Sequence, residues 1–299
     1  MSVSAHTLDK ESTRQEPPEL SIRFWGVRGS VPTPGAATAS YGGNTCCIEV
    51  LADQQRLIFD AGTGLRVLGE HLWQQASPVQ GHLFFTHTQW DRIQGFPFFL
   101  PAFESKNRFH IYGGTAANGA SIKQRLTTHM LKPGFVLPLQ AMKAELTFHD
   151  VMPGNPIKIG DITVEPLGLN GHTNALGYRL SYHGKSVVYA TDTSDEFLDE
   201  NLVFMADRAD LLIYDGLYVD MCDQINMHPE PKPWKAAIQL AQSAQVKQLA
   251  MIHYGPRQTD AVLDALARQF QDIKPDILLA YEGLVLKLGR ADLSSVEKR

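Results

Sequence analysis

Residues 83 to 99 constrain this chain more than any other stretch. Leu83-Phe84-Phe85-Thr86 is an apolar run of the length expected for a strand buried on both faces. A polar group follows at once, with His87, Gln89, Asp91 and Arg92 packed into six positions. Then comes Gly95-Phe96-Pro97-Phe98-Phe99, apolar again and containing a proline, which predicts the start of a short helix. A buried strand that ends in a polar turn belongs to a layered α/β fold, where ligands and chemistry collect at the C-terminal ends of the strands.

Composition narrows the classes of function. The net charge of −5 comes without any basic block, so wholesale binding of nucleic acid by charge is not expected. No run approaches the roughly 20 apolar residues of a membrane-spanning helix. The cysteines are Cys46, Cys47 and Cys222. They form no Cys-x-x-Cys pair, and the first two sit on an expected strand as small buried residues, which fits a reducing cytoplasm. Residues 1–20 are polar and read as a disordered arm, residues 21–289 as a single domain, and residues 290–299 as a polar tail.

Before the central stretch, Ser21 to Trp25 reads as a strand. Cys46 to Leu51 and Leu57 to Phe59 read as a hairpin, and a helix runs from Gly64 to about Gln75 with Leu65, Leu68 and Leu72 on one face. Three glycine turns separate these elements. Gly29, Gly43 and Gly62 either serve close packing or bring backbone N–H groups toward an anion, with Arg28 adding charge. After the central stretch, Phe109 to Gly113 reads as a strand, Asn118 to His129 as a helix and Leu131 to Leu139 as a loop. Strands are expected over Glu145 to Asp150, Ile157 to Leu167 around a Gly160-Asp161 turn, Gly177 to Tyr182, Ser186 to Thr191 and Leu211 to Asp215. Residues 215 to 230 read as an irregular loop. A helix over Pro233 to Ala244, a strand Leu249 to Ile252, a helix Thr259 to Phe270 and two strands ending at Leu288 close the chain.

Several of these segments together resemble the metallo-β-lactamase superfamily. They are Phe24-Trp25-Gly26-Val27-Arg28-Gly29-Ser30, Tyr41-Gly42-Gly43-Asn44-Thr45, Phe59-Asp60-Ala61-Gly62-Thr63-Gly64 and Thr86-His87-Thr88-Gln89-Trp90-Asp91-Arg92. The branch they resemble is that of bacterial cyclic-nucleotide phosphodiesterase-like proteins, over about Ser21 to Leu288. The resemblance implies a four-layer αββα sandwich, an α/β fold. It also implies a two-metal site fed by a His-x-His-x-Asp-His motif, a further His on a loop, a bridging Asp and a last His.

Transferred residue by residue, the motif retains His87, Asp91, Asp192 and His253 as metal-binding positions. It is altered at Gln89, Arg92 and Gly171, where His is expected, and Tyr214 and Tyr254 stand where relatives often carry His. Zinc and similar ions take three or four N, O or S ligands at about 2.0–2.3 Å. His87 with a bridging Asp does not fill the first site, and Arg92 brings a permanent cation into the second. Arg92 is expected to neutralise Asp91 and Asp192 in place of a metal.

Two functions follow from this pattern. The first is a non-hydrolytic ligand-binding or regulatory pseudoenzyme, without cofactor, that takes a nucleotide or another small phosphate-bearing ligand through Arg28, Gly29, Asn44, Arg92 and His172. The alternative is an active phosphodiesterase with one Zn or Mn ion on Asp91, Asp192 and His253, helped by His87 or His172, with Asp91 as catalytic base. A scaffold role, with pairing as a homodimer through the loop from Met221 to Met227, is a third expectation.

Overall fold

The structure is a computed structural model, and it describes residues 19–75, 78–169, 175–191, 200–215 and 233–289. Fourteen strands among these residues form two seven-stranded sheets. The first sheet holds β1 (Leu20–Gly26), β2 (Cys47–Ala52), β3 (Gln55–Phe59), β4 (Gln80–Phe85), β5 (Arg108–Gly114), β6 (Glu145–Val151) and β14 (Val285–Leu288), in the order β14-β1-β2-β3-β4-β5-β6. The second holds β7 (Ile157–Ile159), β8 (Ile162–Gly168), β9 (Leu176–Tyr182), β10 (Lys185–Ala190), β11 (Leu211–Tyr214), β12 (Gln248–Met251) and β13 (Asp276–Leu279), in the order β13-β12-β11-β10-β9-β8-β7. Both sheets are mixed. β3 to β6 run parallel in one and β10 to β13 in the other, with antiparallel hairpins completing each.

Side-chain alternation explains the layering. On β1, Leu20, Ile22 and Phe24 are fully buried while Ser21 and Arg23 are not, the period-two pattern of a strand with one face on a core. On β4 both faces are covered. Phe84 joins the core between the sheets, with Phe59, Tyr112, Tyr178 and Tyr189. Leu83 and Phe85 join a second core under helices, with Leu65, Leu68, Leu72 and Leu126. α1 (Gly64–Trp73), α2 (Trp90–Ile93) and α3 (Ile122–His129) lie on that outer side. α4 (Glu200–Ala206), α5 (Pro233–Ser243) and α6 (Asp260–Gln269) cover the second sheet through Leu202, Ala237, Ala241 and Leu263. The result is the four-layer αββα sandwich expected from the sequence.

Two local expectations change. The helix expected from Asn118 begins at Ile122, because Ser121 caps it in a reciprocal box with Gln124 and residues 116–120 close a separate turn. The Pro97 segment is not an α-helix. It makes two 3-10 turns, Phe96–Phe98 and Leu100–Phe103, that push Phe96 and Phe99 into the helix-side core.

Candidate functional site

The site sits where β3 and β4 end and the loop after β12 begins. β3 delivers Asp60 directly after Phe59, with φ at 58°. That left-handed turn is held by the Asp60 N–H donating to the Phe84 carbonyl at 2.8 Å. β4 delivers Thr86 and His87, and α2 carries Asp91 and Arg92 inward while Trp90 stays exposed. His253 follows β12 with φ at 70°, and its ring packs on Gly29, where a Cβ would come within 2.5 Å of the imidazole.

Arg92 is the centre of the site. It is fully buried, with Nη1 3.1 Å from Asp60 Oδ2 and Nε 3.3 Å from Asp91 Oδ2. Nη1 also donates to the Tyr189 hydroxyl at 2.9 Å, and that hydroxyl donates to Asp60 Oδ2 at 2.8 Å. Asp60 further accepts from the Thr86 N–H and the Thr86 hydroxyl, each at 2.9 Å. Burial pushes the Asp60 carboxyl up, while Arg92, Thr86 and Tyr189 pull it back. Burial opposes the Arg92 charge, yet the surrounding Cys46, Tyr189, Asp60 and Asp91 hold its pKa well above the ordinary value. Arg92 Nη2 is buried and has no hydrogen-bond partner among the described residues.

Three of the retained family positions, His87, Asp91 and His253, gather beside it. His253 Nε2 lies 3.2 Å from Asp91 Oδ2, and His253 Nδ1 lies 3.9 Å from Asp215 Oδ2. His87 Nδ1 is 3.0 Å from the Thr86 hydroxyl, and His87 Nε2 is 3.3 Å from Gln89 Oε1. Burial opposes the Asp91 charge, but the hydrogen bond from His253 and the Arg92 guanidinium hold its carboxyl below the usual range. Burial, with Arg92 close by, pushes His87 down to about 3 and lowers His253 as well. Both imidazoles are neutral at pH 7.

Other sequence candidates are placed differently. Arg28 is fully buried, and its Nε and Nη1 donate to the carbonyls of Gly42 and Gln258, each at 2.6 Å. The Gly29 N–H donates to the Tyr254 carbonyl at 3.0 Å. Asn44 is clamped by Glu282, which accepts from its N–H at 2.5 Å and its side-chain amide at 2.9 Å. These three fasten the loops behind His253 through protein acceptors, and Arg28 Nη2 alone of the Arg28 nitrogens is without one among the described residues. Tyr254 turns away from the site, its hydroxyl donating to the carbonyls of Met251 and Ala280. Gly171, His172, Asp192 and the loop from Met221 to Met227 lie outside the described residues.

Asp60, Thr86 and Tyr189 were not among the sequence candidates. Arg92 was expected to neutralise Asp91 and Asp192. Asp91 is at ion-pair distance, but the closer described carboxylate is Asp60. Its signal was a charged residue at the end of an apolar strand, in a motif read only for its glycines.

A metal does not fit the described constellation. A fully buried guanidinium stands among its carboxylates, and like charges at such distances in a dry interior repel strongly. Among the described residues, no three His, Cys, Asp or Glu side chains are grouped so as to hold an ion.

Fold and site together define the class. The Beta-lactamase superfamily domain profile matches residues 55–254, and the chain belongs to that family. Its fold is the metallo-β-lactamase fold, and its relatives include ribonuclease Z. The chain is 24% identical to the Ribonuclease Z of Thermoplasma volcanium, covering 88% of this chain and 97% of the relative. The metallo-β-lactamase fold protein YhfI of Bacillus subtilis superposes with a TM-score of 0.65 at 16% identity, covering 90% of this chain and 99% of that one. Human tRNase Z, short form, superposes with a TM-score of 0.62 at 17% identity, covering 89% and 98%. No helix among the described residues is long and apolar enough to cross a membrane.

Proposed function

We propose that this chain is a non-hydrolytic member of its family, a binding or regulatory protein in which a side-chain cation replaces metal charge. One observation carries this reading. Arg92, at a motif position where His is expected, is fully buried with its guanidinium between Asp60 and Asp91. A guanidinium keeps its charge at any working pH and pairs well with carboxylates. It activates no water. Asp91 is held as a weak base by His253 and Arg92, which makes it a poor general base.

The ligand in this proposal is a small phosphate-bearing molecule such as a nucleotide. Gly29 and Asn44 support it little, because their donors are already engaged, and Arg28 is held through Nε and Nη1, with Nη2 lacking a partner among the described residues. The support is Arg92, whose Nη2 lacks an acceptor among the described residues; because the guanidinium is fully buried, binding requires the site to open, and His172 lies outside the described residues. Calorimetric titration with cyclic and linear nucleotides tests it. Saturable binding that weakens in Arg92→Lys supports the proposal, and no heat at millimolar nucleotide removes the ligand from it. Pairing as a homodimer and a cytoplasmic location belong to the same proposal.

The second reading is a metal-dependent phosphodiester hydrolase holding one Zn or Mn ion on Asp91, Asp192 and His253. The similarity to proteins named ribonuclease Z favours it, and favours it over loss of activity. It predicts phosphodiester turnover that a chelator abolishes.

A further inference from the structure

A second group of imidazoles lies away from the Arg92 site. His82 on β4, His110 on β5 and His149 on β6 stand on three neighbouring parallel strands of the first sheet. His82 and His110 are direct partners across the β4–β5 pair, and Tyr112 and His149 are partners across the β5–β6 pair. His82 precedes His87 by five residues, about 16 Å of extended strand, so the two groups are separate.

The rings form a stack. His82 and His110 have centroids 5.1 Å apart at 11°, and His110 and His149 are 5.5 Å apart at 29°. Tyr112 lies flat on His149 at 4.6 Å, with its hydroxyl 3.2 Å from His82 Nδ1. All three imidazoles are half-buried, so they are reachable from solvent. Burial, with the other two histidines, pushes His82 down to about 4, and burial with His110 lowers His149. Neutral imidazoles offer lone pairs, the form that metals require.

The decisive distance is between His110 Nδ1 and His149 Nε2, which share a hydrogen bond at 3.2 Å, so an ion bound by both would displace the proton between them. Two nitrogens bound at 2.0–2.1 Å to a tetrahedral ion are separated by about 3.3 Å. The pair therefore already has the spacing of one edge of such a site. We propose that His110 and His149 form a chelating pair for a borderline divalent transition metal such as Zn2+, Ni2+ or Cu2+, with His82 beside it as a third imidazole. Among the described residues no three ligating side chains converge already, so the pair binds first and water or a rotated His82 completes the shell. Stacking of Tyr112 on His149 limits the movement of that ring. Imidazole ligands select late transition metals over Mg2+ and Ca2+.

The test is titration of the full-length protein with Ni2+, followed by calorimetry, in the parent, His110→Gln and His149→Gln. The expected result is one Ni2+ per chain in the parent and an affinity at least tenfold weaker in either variant, each checked for folding by circular dichroism. A second measurement uses the parent alone. Histidine acylation by diethylpyrocarbonate, mapped by mass spectrometry with and without Zn2+, is expected to show protection at His110 and His149. Binding that is unchanged in both variants, or no binding at millimolar Ni2+ with no protection by Zn2+, overturns the proposal. The variants leave the Arg92 site untouched, so a loss of binding in them is assigned to this pair and not to that site.

Discussion

Asp60 and Arg92 stand 32 positions apart in the chain and meet as a fully buried ion pair, Nη1 to Oδ2 at 3.1 Å. The Tyr189 hydroxyl closes the triangle from the opposite sheet. The pair thus joins the two halves of the sandwich at the level of the site. Taking two charges out of water costs several kcal/mol each, and only a well-formed network offsets that. Asp60 has such a network in Thr86, Tyr189 and Arg92.

Breaking the pair from one side is therefore costly. Asp60→Asn and Arg92→Met are each expected to lower stability by about 3–5 kcal/mol, because each strands a buried charge. The double variant Asp60→Asn/Arg92→Met is expected to recover part of the loss. Urea unfolding of the four proteins measures the coupling. Additive losses would show that the two groups do not depend on each other.

Acid sensitivity begins above the carboxylate range. His87 is held near 3 and His82 near 4, against an ordinary 6.5. A histidine with a lowered folded pKa binds its proton first in the unfolded chain. Its contribution is complete above pH 6.5 and is lost as pH falls toward the folded value. The slope is about 1.4 kcal/mol per pH unit for each such histidine. His253 and His149, also lowered, add with the same sign. Half-exposed His82 contributes less than buried His87, because solvent screens it. Asp91 behaves differently. Its lowered carboxyl contributes above about pH 3.8 and fades only below it, and the raised Asp60 carboxyl acts with the opposite sign as pH falls, so the loss between pH 6.5 and 5 belongs to the histidines. Urea unfolding at pH 7, 6 and 5 checks this, and a flat profile would contradict it.

Gly29 is required by contact. A methyl group there would meet the His253 ring at 2.5 Å, and the ring is fixed on its other side by Asp91. Gly29→Ala is expected to cost about 1–3 kcal/mol as overpacking and to shift the His253 imidazole resonances in NMR spectra. A thermal midpoint and an imidazole spectrum equal to those of the parent would show that the ring moves freely.

Restoring the missing imidazoles tests the substitution of charge for metal. The triple variant Gln89→His/Arg92→His/Gly171→His is expected to bind more zinc per chain than the parent by elemental analysis, since it removes the cation and adds three nitrogen ligands. An unchanged zinc content would show that the loss of metal positions lies elsewhere.

Much of this was legible in the residues. The strand from Leu83, the hairpin of Cys46 to Leu51 with Leu57 to Phe59, and the Leu65, Leu68 and Leu72 face of α1 follow from alternation and helical spacing, and they appear where expected. The departures from the family motif at Gln89 and Arg92 were legible as well. The partner of Arg92 did not show. Asp60, Thr86 and Tyr189 come from three strands, and no local pattern states that they converge. Arg28 shows the same limit. A cation between glycines suits an anion site, but three of its neighbours in space are carbonyls of Gly42, Gly255 and Gln258, two of them more than 200 positions away.

The most direct measurement is turnover of a simple phosphodiester, bis(p-nitrophenyl) phosphate, by the full-length protein with added Zn2+ or Mn2+ and again with a chelator. With Arg92 in the place of metal charge, hydrolysis is expected to equal the buffer blank in both conditions. Turnover that requires the metal, disappears with the chelator and is lost in Asp91→Asn would contradict the account and make this chain a working hydrolase.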